Sequence, residues 1–332
     1  MIYKYLIKPV LFLFNPEIVH EVFMSLGELM GRFTLTRSLV ALIYKRGVKK
    51  VFREVDGITY YSPVLLSAGF DYNARLTQIL PSLGLGGVEV GSVTARPCAG
   101  NPSPQLKRLP ALRSIVVNKG LMNDGVDTII KRLKKRKKFN NFVIGVSIAR
   151  TNDDESSGIE AGVEDYLYSL RRLIEEEVGD YYTLNISCPN AFTGEMFLNP
   201  IHLSRLLEAV AELKCVKPIY VKMPLHLSDT DFLALVEVIA NSEVRGLVIG
   251  NLNKSRPDLG NLSGGPCFEP SNHFIKLTRE RYQDRFTIFG VGGIFSPADA
   301  KVKLAAGADL LQLITGMIYE GPGLLKRLNR AL

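Results

Sequence analysis

The stretch Asn185-Ile186-Ser187-Cys188-Pro189-Asn190 places two amides and one ionisable thiol directly after the apolar run Tyr181 to Leu184. An asparagine side chain offers donors and an acceptor together, so a pair can read the imide or carboxylate of a flat heterocycle. A thiol between them can remove a proton from it. That is the chemistry of a small-molecule catalytic site. The same residues also suit an ordinary strand-to-helix turn, with the asparagines capping backbone groups and the cysteine serving as packing. The elements that carry the stretch bear on which reading holds.

From residue 58 onward the chain alternates between buried-looking apolar runs and amphipathic segments. The runs Val64 to Ala68, Gly87 to Val93, Phe142 to Ile148, Tyr182 to Ile186, Ile219 to Lys222, Gly246 to Ile249, Thr287 to Gly290 and Leu310 to Leu313 read as parallel strands. Between them lie helical patterns such as Val163 to Glu177, Ile201 to Leu213, Asp229 to Asn241 and Pro297 to Ala306. Eight such units favour an α/β fold of the TIM (β/α)8 barrel type over a doubly wound sheet. In a barrel the chemistry gathers where the strands end. The residues there are Ser67-Ala68-Gly69, Gly91-Ser92, the asparagine and cysteine turn, Lys222, Asn251, Gly292-Gly293 and Thr315-Gly316. Glycines after the seventh and eighth strands let backbone amides approach a phosphate, and a helix starting near Ser296 adds its positive end.

With 332 residues and 46% hydrophobic composition, the chain can bury a large core. Cys98, Cys188, Cys215 and Cys267 lie far apart without metal-ligand spacing, which predicts reduced thiols in a cytosolic setting and no metal site. The net charge of +8 is concentrated in Lys131 to Lys138 with no nucleic-acid motif, so a solvated helix face is expected, with an anionic membrane surface as the alternative. Met1 to Phe14 is apolar but interrupted by Lys4, Lys8 and Pro9, too short for a membrane span and without a cleavage site. Asn15 as N-cap and Pro16 at the first position open a helix to about Phe33, and a further apolar stretch runs from Leu39 to Tyr44. The apolar face of the first helix is wider than one contact needs. Either it packs on the core, or it rests on a membrane with its basic flank toward anionic lipid.

These residues carry a resemblance. The chain resembles the dihydroorotate dehydrogenases over nearly its full length, and its N-terminal segment is similar to that of the membrane-associated, quinone-linked class 2 enzymes. The similarity rests on Asn15-Pro16-Glu17 with His20, on Gly91-Ser92-Val93-Thr94 with Arg96-Pro97 and Gly100-Asn101-Pro102, and on Arg108-Leu109-Pro110. It continues through Ser255-Arg256-Pro257, Leu262-Ser263-Gly264, and Ala305-Ala306-Gly307-Ala308 to Gly321-Pro322. The resemblance implies an FMN-binding barrel, residues 51–332, that oxidises (S)-dihydroorotate to orotate in pyrimidine synthesis. It also implies a cap, residues 1–50, giving a quinone access from the membrane. Cys188 would be the base. Asn118, Asn185, Asn190 and Asn251 would hold the substrate. Ser67, Ala68, Gly69, Ser92, Lys222, Gly264, Gly292, Gly293, Thr315 and Gly316 would surround the flavin, with His20 and Arg108 near the quinone path. A peripheral position on the cytoplasmic face of the inner membrane follows, with a cytoplasmic one as the alternative.

The sequence also departs from the class 2 pattern. Cys188 stands where class 2 enzymes carry serine and the soluble class 1 enzymes carry cysteine. Tyr72 replaces a flavin-contacting lysine after Gly69-Phe70-Asp71. Ala149-Arg150-Thr151-Asn152 replaces Gly-Lys-Asn-Lys, and Ile314 replaces a tyrosine. One residue is missing between Asn118 and Gly120, and Leu121 replaces a phenylalanine. Two alternatives therefore stand beside the quinone enzyme: a class 1 like activity using fumarate or another soluble acceptor, and a flavin- or pyrimidine-binding barrel with weakened turnover. Because Cys188 is the ionisable side chain of its turn, Cys188→Ala is expected to retain FMN but slow flavin reduction by dihydroorotate about a hundredfold or more. Stopped-flow bleaching of the flavin measures this, and near-normal bleaching would remove Cys188 from the role of base.

Overall fold

A computed structural model describes residues 3–48, 51–187 and 195–332; Cys188 and Asn190 lie outside the described residues. Eight parallel strands close into a barrel in chain order: β1 (Val64–Leu66), β2 (Gly87–Val93), β3 (Val143–Ile148), β4 (Tyr181–Asn185), β5 (Ile219–Met223), β6 (Gly246–Ile249), β7 (Thr287–Val291) and β8 (Leu310–Leu313). The last pairs with the first, with Gln312 opposite Leu65. This is the expected TIM barrel, and each strand agrees with its apolar run to within two residues at either end. Parallel strands buried on both faces need apolar side chains in both directions. In β1, Leu65 turns into the barrel while Val64 and Leu66 join the core under the helices.

The barrel interior is filled by large aromatics. Tyr181, Tyr220 and Phe289 lie with ring centroids 5.0 to 5.5 Å apart, and Tyr60 closes on Phe289 from an antiparallel hairpin, Arg53–Val55 with Ile58–Tyr60. Room for Tyr181 comes from Gly145 on β3, where an added Cβ would sit 2.1 Å from the ring. One carboxylate shares this layer. Glu89 is fully buried and accepts from the Tyr181 hydroxyl at 3.2 Å, from Thr183 at 3.0 Å and from Gln312 at 2.9 Å, tying β2 to β4 and β8.

Outside the strands run α3 (Val126–Lys134), α4 (Ile159–Glu175), α5 (Pro200–Ala211), α6 (Asp229–Ala240), α7 (Phe268–Tyr282), α8 (Pro297–Ala305), α9 (Thr315–Glu320) and α10 (Gly323–Ala331). Their starts follow local chemistry: Ser228 accepts from the Asp231 amide to cap α6, and Ser296 does the same for α8 from Asp299. Before the barrel come α1 (Pro16–Arg32) and α2 (Thr34–Tyr44). Asn15 caps α1 as expected, accepting from the amides of Glu17 and Ile18, whereas α2 begins five residues before the apolar stretch at Leu39. The helix α1 is fastened by charge, since Arg75 reaches Glu21 at 2.6 Å and Glu28 at 2.8 Å.

The sequence reading did not anticipate the hairpin Leu106–Leu109 with Ser114–Val117, inserted between β2 and β3. Lys107, Arg108 and Pro110 interrupt its apolar alternation, which is why no strand period is visible there. Glu17 of α1 accepts from the Gln105 amide at 2.6 Å and that of Leu106 at 3.2 Å, which seats the cap on this hairpin. The Glu89 cluster makes a stability prediction. Glu89→Ala would leave three buried donors without their acceptor and lower unfolding free energy by about 3 kcal/mol or more, read from urea denaturation.

Candidate active site

The polar side chains at the strand ends hold one another. Asn185, at the end of β4, donates to Ser92 Oγ at 2.8 Å, and Ser92 pairs with Ser147 Oγ at 2.8 Å. Asn251, just past β6, donates to the Ser187 carbonyl at 2.7 Å and to its hydroxyl at 2.9 Å; that hydroxyl in turn donates to the Lys222 carbonyl at 2.9 Å. Asn185 Oδ1 and Asn251 Nδ2 are 3.4 Å apart. Two of the four expected asparagines are thus brought to one place.

They face two adjoining cavities that share Ala68, Lys222, Asn251 and Thr315. One, of about 80 Å3, is walled by Ser67, Gly264, Gly292, Gly293 and Gly316; the other, of about 160 Å3, is lined by Gly69, Ser92, Asn185, Lys119 and His20. Lys222 is 5% exposed, so its charge sits in a poorly hydrated wall. Thr315 shares a 2.9 Å hydrogen bond with Ser263.

The glycines of the smaller cavity present backbone where any side chain would collide. Gly293 has φ +74°, and a Cβ there would lie 2.4 Å from that of Phe268. At Gly316 the Cβ would meet the Ile294 carbonyl at 1.8 Å. A wall of bare amides beside a buried lysine fits a phosphate-bearing cofactor with an electron-accepting ring, as a flavin mononucleotide is.

Residues 51–332 match the family described as Dihydroorotate dehydrogenase. The chain belongs to that family. A relative from Christiangramia forsetii named "Dihydroorotate dehydrogenase (quinone)" is 34% identical, covering 99% of this chain and 98% of its own length. One of the same name from Janthinobacterium sp. is 35% identical over 98% of this chain and 97% of itself. Among solved structures, that of the Eimeria tenella dihydroorotate dehydrogenase in complex with ferulenol superposes with TM-score 0.82 at 25% identity. It covers 95% of this chain and 90% of that one.

Set beside other dihydroorotate dehydrogenases, this member shows where its departures lead. Asn118 is exposed rather than in either cavity, and its carbonyl oxygen accepts from Asn101 at 2.8 Å. This differs from the expectation that Asn118 lines the pocket: the neighbouring Lys119 lines the larger cavity instead. Arg108 was expected near the quinone path. It lines neither cavity but donates to the Phe14 carbonyl at 2.7 Å and stacks on Phe12 at 4.6 Å, clamping the N-terminal segment to the hairpin. His20 does reach the larger cavity, with Nε2 3.0 Å from the Phe70 carbonyl and its ring edge-on to Phe70. Burial, aided by the Lys119 charge, holds its pKa below the ordinary value, so the ring is neutral at pH 7 and Nε2 carries the proton that the carbonyl accepts.

Thr151 donates to Asp165 at 2.6 Å, and Arg150 binds Ser156, so both are taken up by a buried network away from the cavities. Ser187 was missed as a positioning residue, although it sits inside the singled-out turn. Of the thiols described, Cys98 and Cys267 are buried, and burial pushes Cys267 up to about 12 and Cys215 above its usual value. Both Cys215 and Cys267 therefore remain protonated thiols near neutral pH. The glycine wall gives a direct test. Gly293→Ala is expected to bind flavin about ten- to a hundredfold more weakly and to purify nearly colourless, because alanine is strained at that φ and collides with Phe268. Gly158→Ala, at a position with φ −79° and open space for a Cβ, keeps its colour in the same absorbance measurement.

Proposed function

We propose that this protein oxidises (S)-dihydroorotate to orotate with FMN as its cofactor and a quinone as the final electron acceptor. The observation that carries the reading is the convergence of Asn185, Asn251 and Lys222 on a glycine-walled cleft at the strand ends of a dihydroorotate dehydrogenase barrel. Residues 51–332 form the catalytic barrel in this reading, and residues 1–50 the cap.

Asn185 and Asn251 present amides in fixed orientations, because Ser92 and Ser187 hold them before any ligand arrives. Such preorganisation suits the alternating N–H and C=O edge of a dihydropyrimidine and removes part of the orientational cost of reaction. Asn190 adds a third amide and Cys188, as thiolate, takes the proton from C5. Gly264, Gly292, Gly293, Thr315 and Gly316 would hold the phosphate end of FMN, and Ser67, Ala68, Gly69 and Ser92 its ring system. When bound, FMN supplies the acceptor for the hydride that leaves C6, so that C5 and C6 become doubly bonded in orotate. Lys222 contributes positive charge in a buried wall, where negative charge developing on bound groups is stabilised most.

The cap supplies the second substrate's route. Ile18, Val22, Leu26 and Leu29 of α1 and Leu35, Leu39, Leu42 and Ile43 of α2 are 48 to 72% exposed, while His20 on the same α1 lines the cavity. No single helix among the described residues is long and apolar enough to cross a membrane. An exposed apolar patch of this kind suits an interfacial contact, where a lipid-soluble quinone enters between cap and barrel. We place the protein peripherally on the cytoplasmic face of the inner membrane. Anaerobic dihydroorotate should bleach the purified yellow protein, and a quinone should restore its colour faster than fumarate. Val22→Glu with Leu29→Glu is expected to weaken binding to anionic liposomes about tenfold or more while bleaching by dihydroorotate is retained. Faster recolouring by fumarate would overturn the quinone assignment, and failure to bleach would overturn the substrate.

A further inference from the structure

Lys119 is an unusual residue to find where it is. Its side chain is 6% exposed in a cavity otherwise walled by Phe70, Tyr72, Leu106, Ile115 and Leu121 on that side. The ammonium lies 5.5 Å from the centroid of the Tyr72 ring, and among the described residues no carboxylate comes within ion-pair distance of it. The two acids that act on it from a distance are already engaged. Glu17 accepts from Ser103, Gln105 and Leu106, and Glu21 from Arg75 and Ser25. Burial pulls the pKa of the amine down despite those acids, which measures how poorly the protein alone solvates the charge. An ammonium turned into a cavity with only a ring face as partner has unused donors, and the missing partner has to be an anion that arrives from outside.

The remaining polar groups of the cavity decide which anion. Asn185, Asn251 and Ser92 are neutral and suit amide and imide edges, whereas Lys119, on the loop after Val117, lines this cavity and not the adjoining one whose glycine wall suits a phosphate. A dihydropyrimidine that bears a carboxylate needs one cation beside a set of neutral donors and acceptors. We propose that Lys119 binds the carboxylate of the dihydropyrimidine substrate and of its product, and so selects the acid over the ring that lacks it. This rests on the dihydroorotate reading above. The geometry allows the assignment because the inward turn of Lys119 accompanies the outward turn of Asn118, which bonds Asn101 instead. The loop therefore offers a charge to the ligand in place of an amide.

The test uses flavin-loaded protein and its absorbance change on titration with orotate and, separately, with uracil, which shares the ring but lacks the carboxylate. In Lys119→Met, orotate affinity should fall about ten- to a hundredfold while uracil affinity is unchanged, so the preference for the acid collapses. Lys119→Arg should restore most of that preference. In steady state the Met variant should raise KM for dihydroorotate more than it lowers kcat. If Lys119→Met keeps the wild-type preference for orotate over uracil, the assignment is wrong. If instead it loses flavin while Lys119→Arg retains it, the lysine serves the cofactor and the carboxylate role is overturned. Wild-type protein that neither binds orotate nor bleaches with dihydroorotate would overturn the functional reading itself, and Lys119's role with it.

Discussion

The hydrogen bond from Asn185 to Ser92 is the contact on which the site's geometry depends. It lies at the end of a chain of polar groups that runs from Ser147 on β3 through Ser92 on β2 and Asn185 on β4. The Asn185 carbonyl oxygen continues it toward Asn251 past β6, and Ser187 carries it to the backbone of Lys222 on β5. Five consecutive strands are joined there by short side chains. The arrangement rests on a layer beneath that is closed by the packed rings of Tyr181, Tyr220 and Phe289. Side chains held in this way meet a ligand already oriented, and that is where a barrel's contribution to catalysis is largest.

Charge follows the same division of the molecule. Within the lower barrel the buried carboxylate Glu89 accepts hydroxyl and amide donors from two other strands, β4 and β8. The upper cavities hold cations: Lys222 and Lys119 are each less than a tenth exposed. Burying two ammonium groups within reach of one cleft is costly in the empty protein and becomes favourable when anions occupy it. Ligand binding and folding are thereby linked, and a protein of this design is more stable when loaded than when empty.

Much of this was legible in the sequence because barrels write themselves in a strong period. Apolar runs separated by amphipathic helices located all eight strands, and the residues just past them included Lys222, Asn251, Gly293 and Thr315, which the fold gathers around the cleft. What could not be read were features set by contacts distant in the chain. The hairpin Leu106–Leu109 with Ser114–Val117 exists because α1 and the loop at Leu262 pair with it, not because its own alternation is strong. Asn118 is exposed while Lys119 lines the cavity, and residue type alone carries no sign of which will face it. Arg108, expected near the quinone path, is held by the Phe12 ring and the Phe14 carbonyl, contacts its motif alone does not specify.

The helix α1 joins the two halves of the proposed reaction by having two occupied faces. On one, Arg75 binds Glu21 and Glu28, Glu17 seats the hairpin, and His20 reaches the Phe70 carbonyl inside the cavity. On the other, Ile18, Val22 and Leu29 stand more than half exposed. A helix that served only as packing would need a single apolar stripe toward the core. Here the face toward the barrel combines Met24 and Met30, packed on the core, with charged and hydrogen-bonded groups, and a further set of apolar side chains is left exposed. Burial of Met24 of α1 and Val40 of α2 in the barrel's core, together with ion pairs and backbone hydrogen bonds that are individually modest, holds the cap on the barrel. The exposed stripe gains its full burial energy only against an apolar surface outside the chain. In the proposed reading the cap's exposed apolar side chains rest on an interface while His20 of the same helix lines the cavity, which joins the site to the place where a lipid-soluble acceptor is most concentrated.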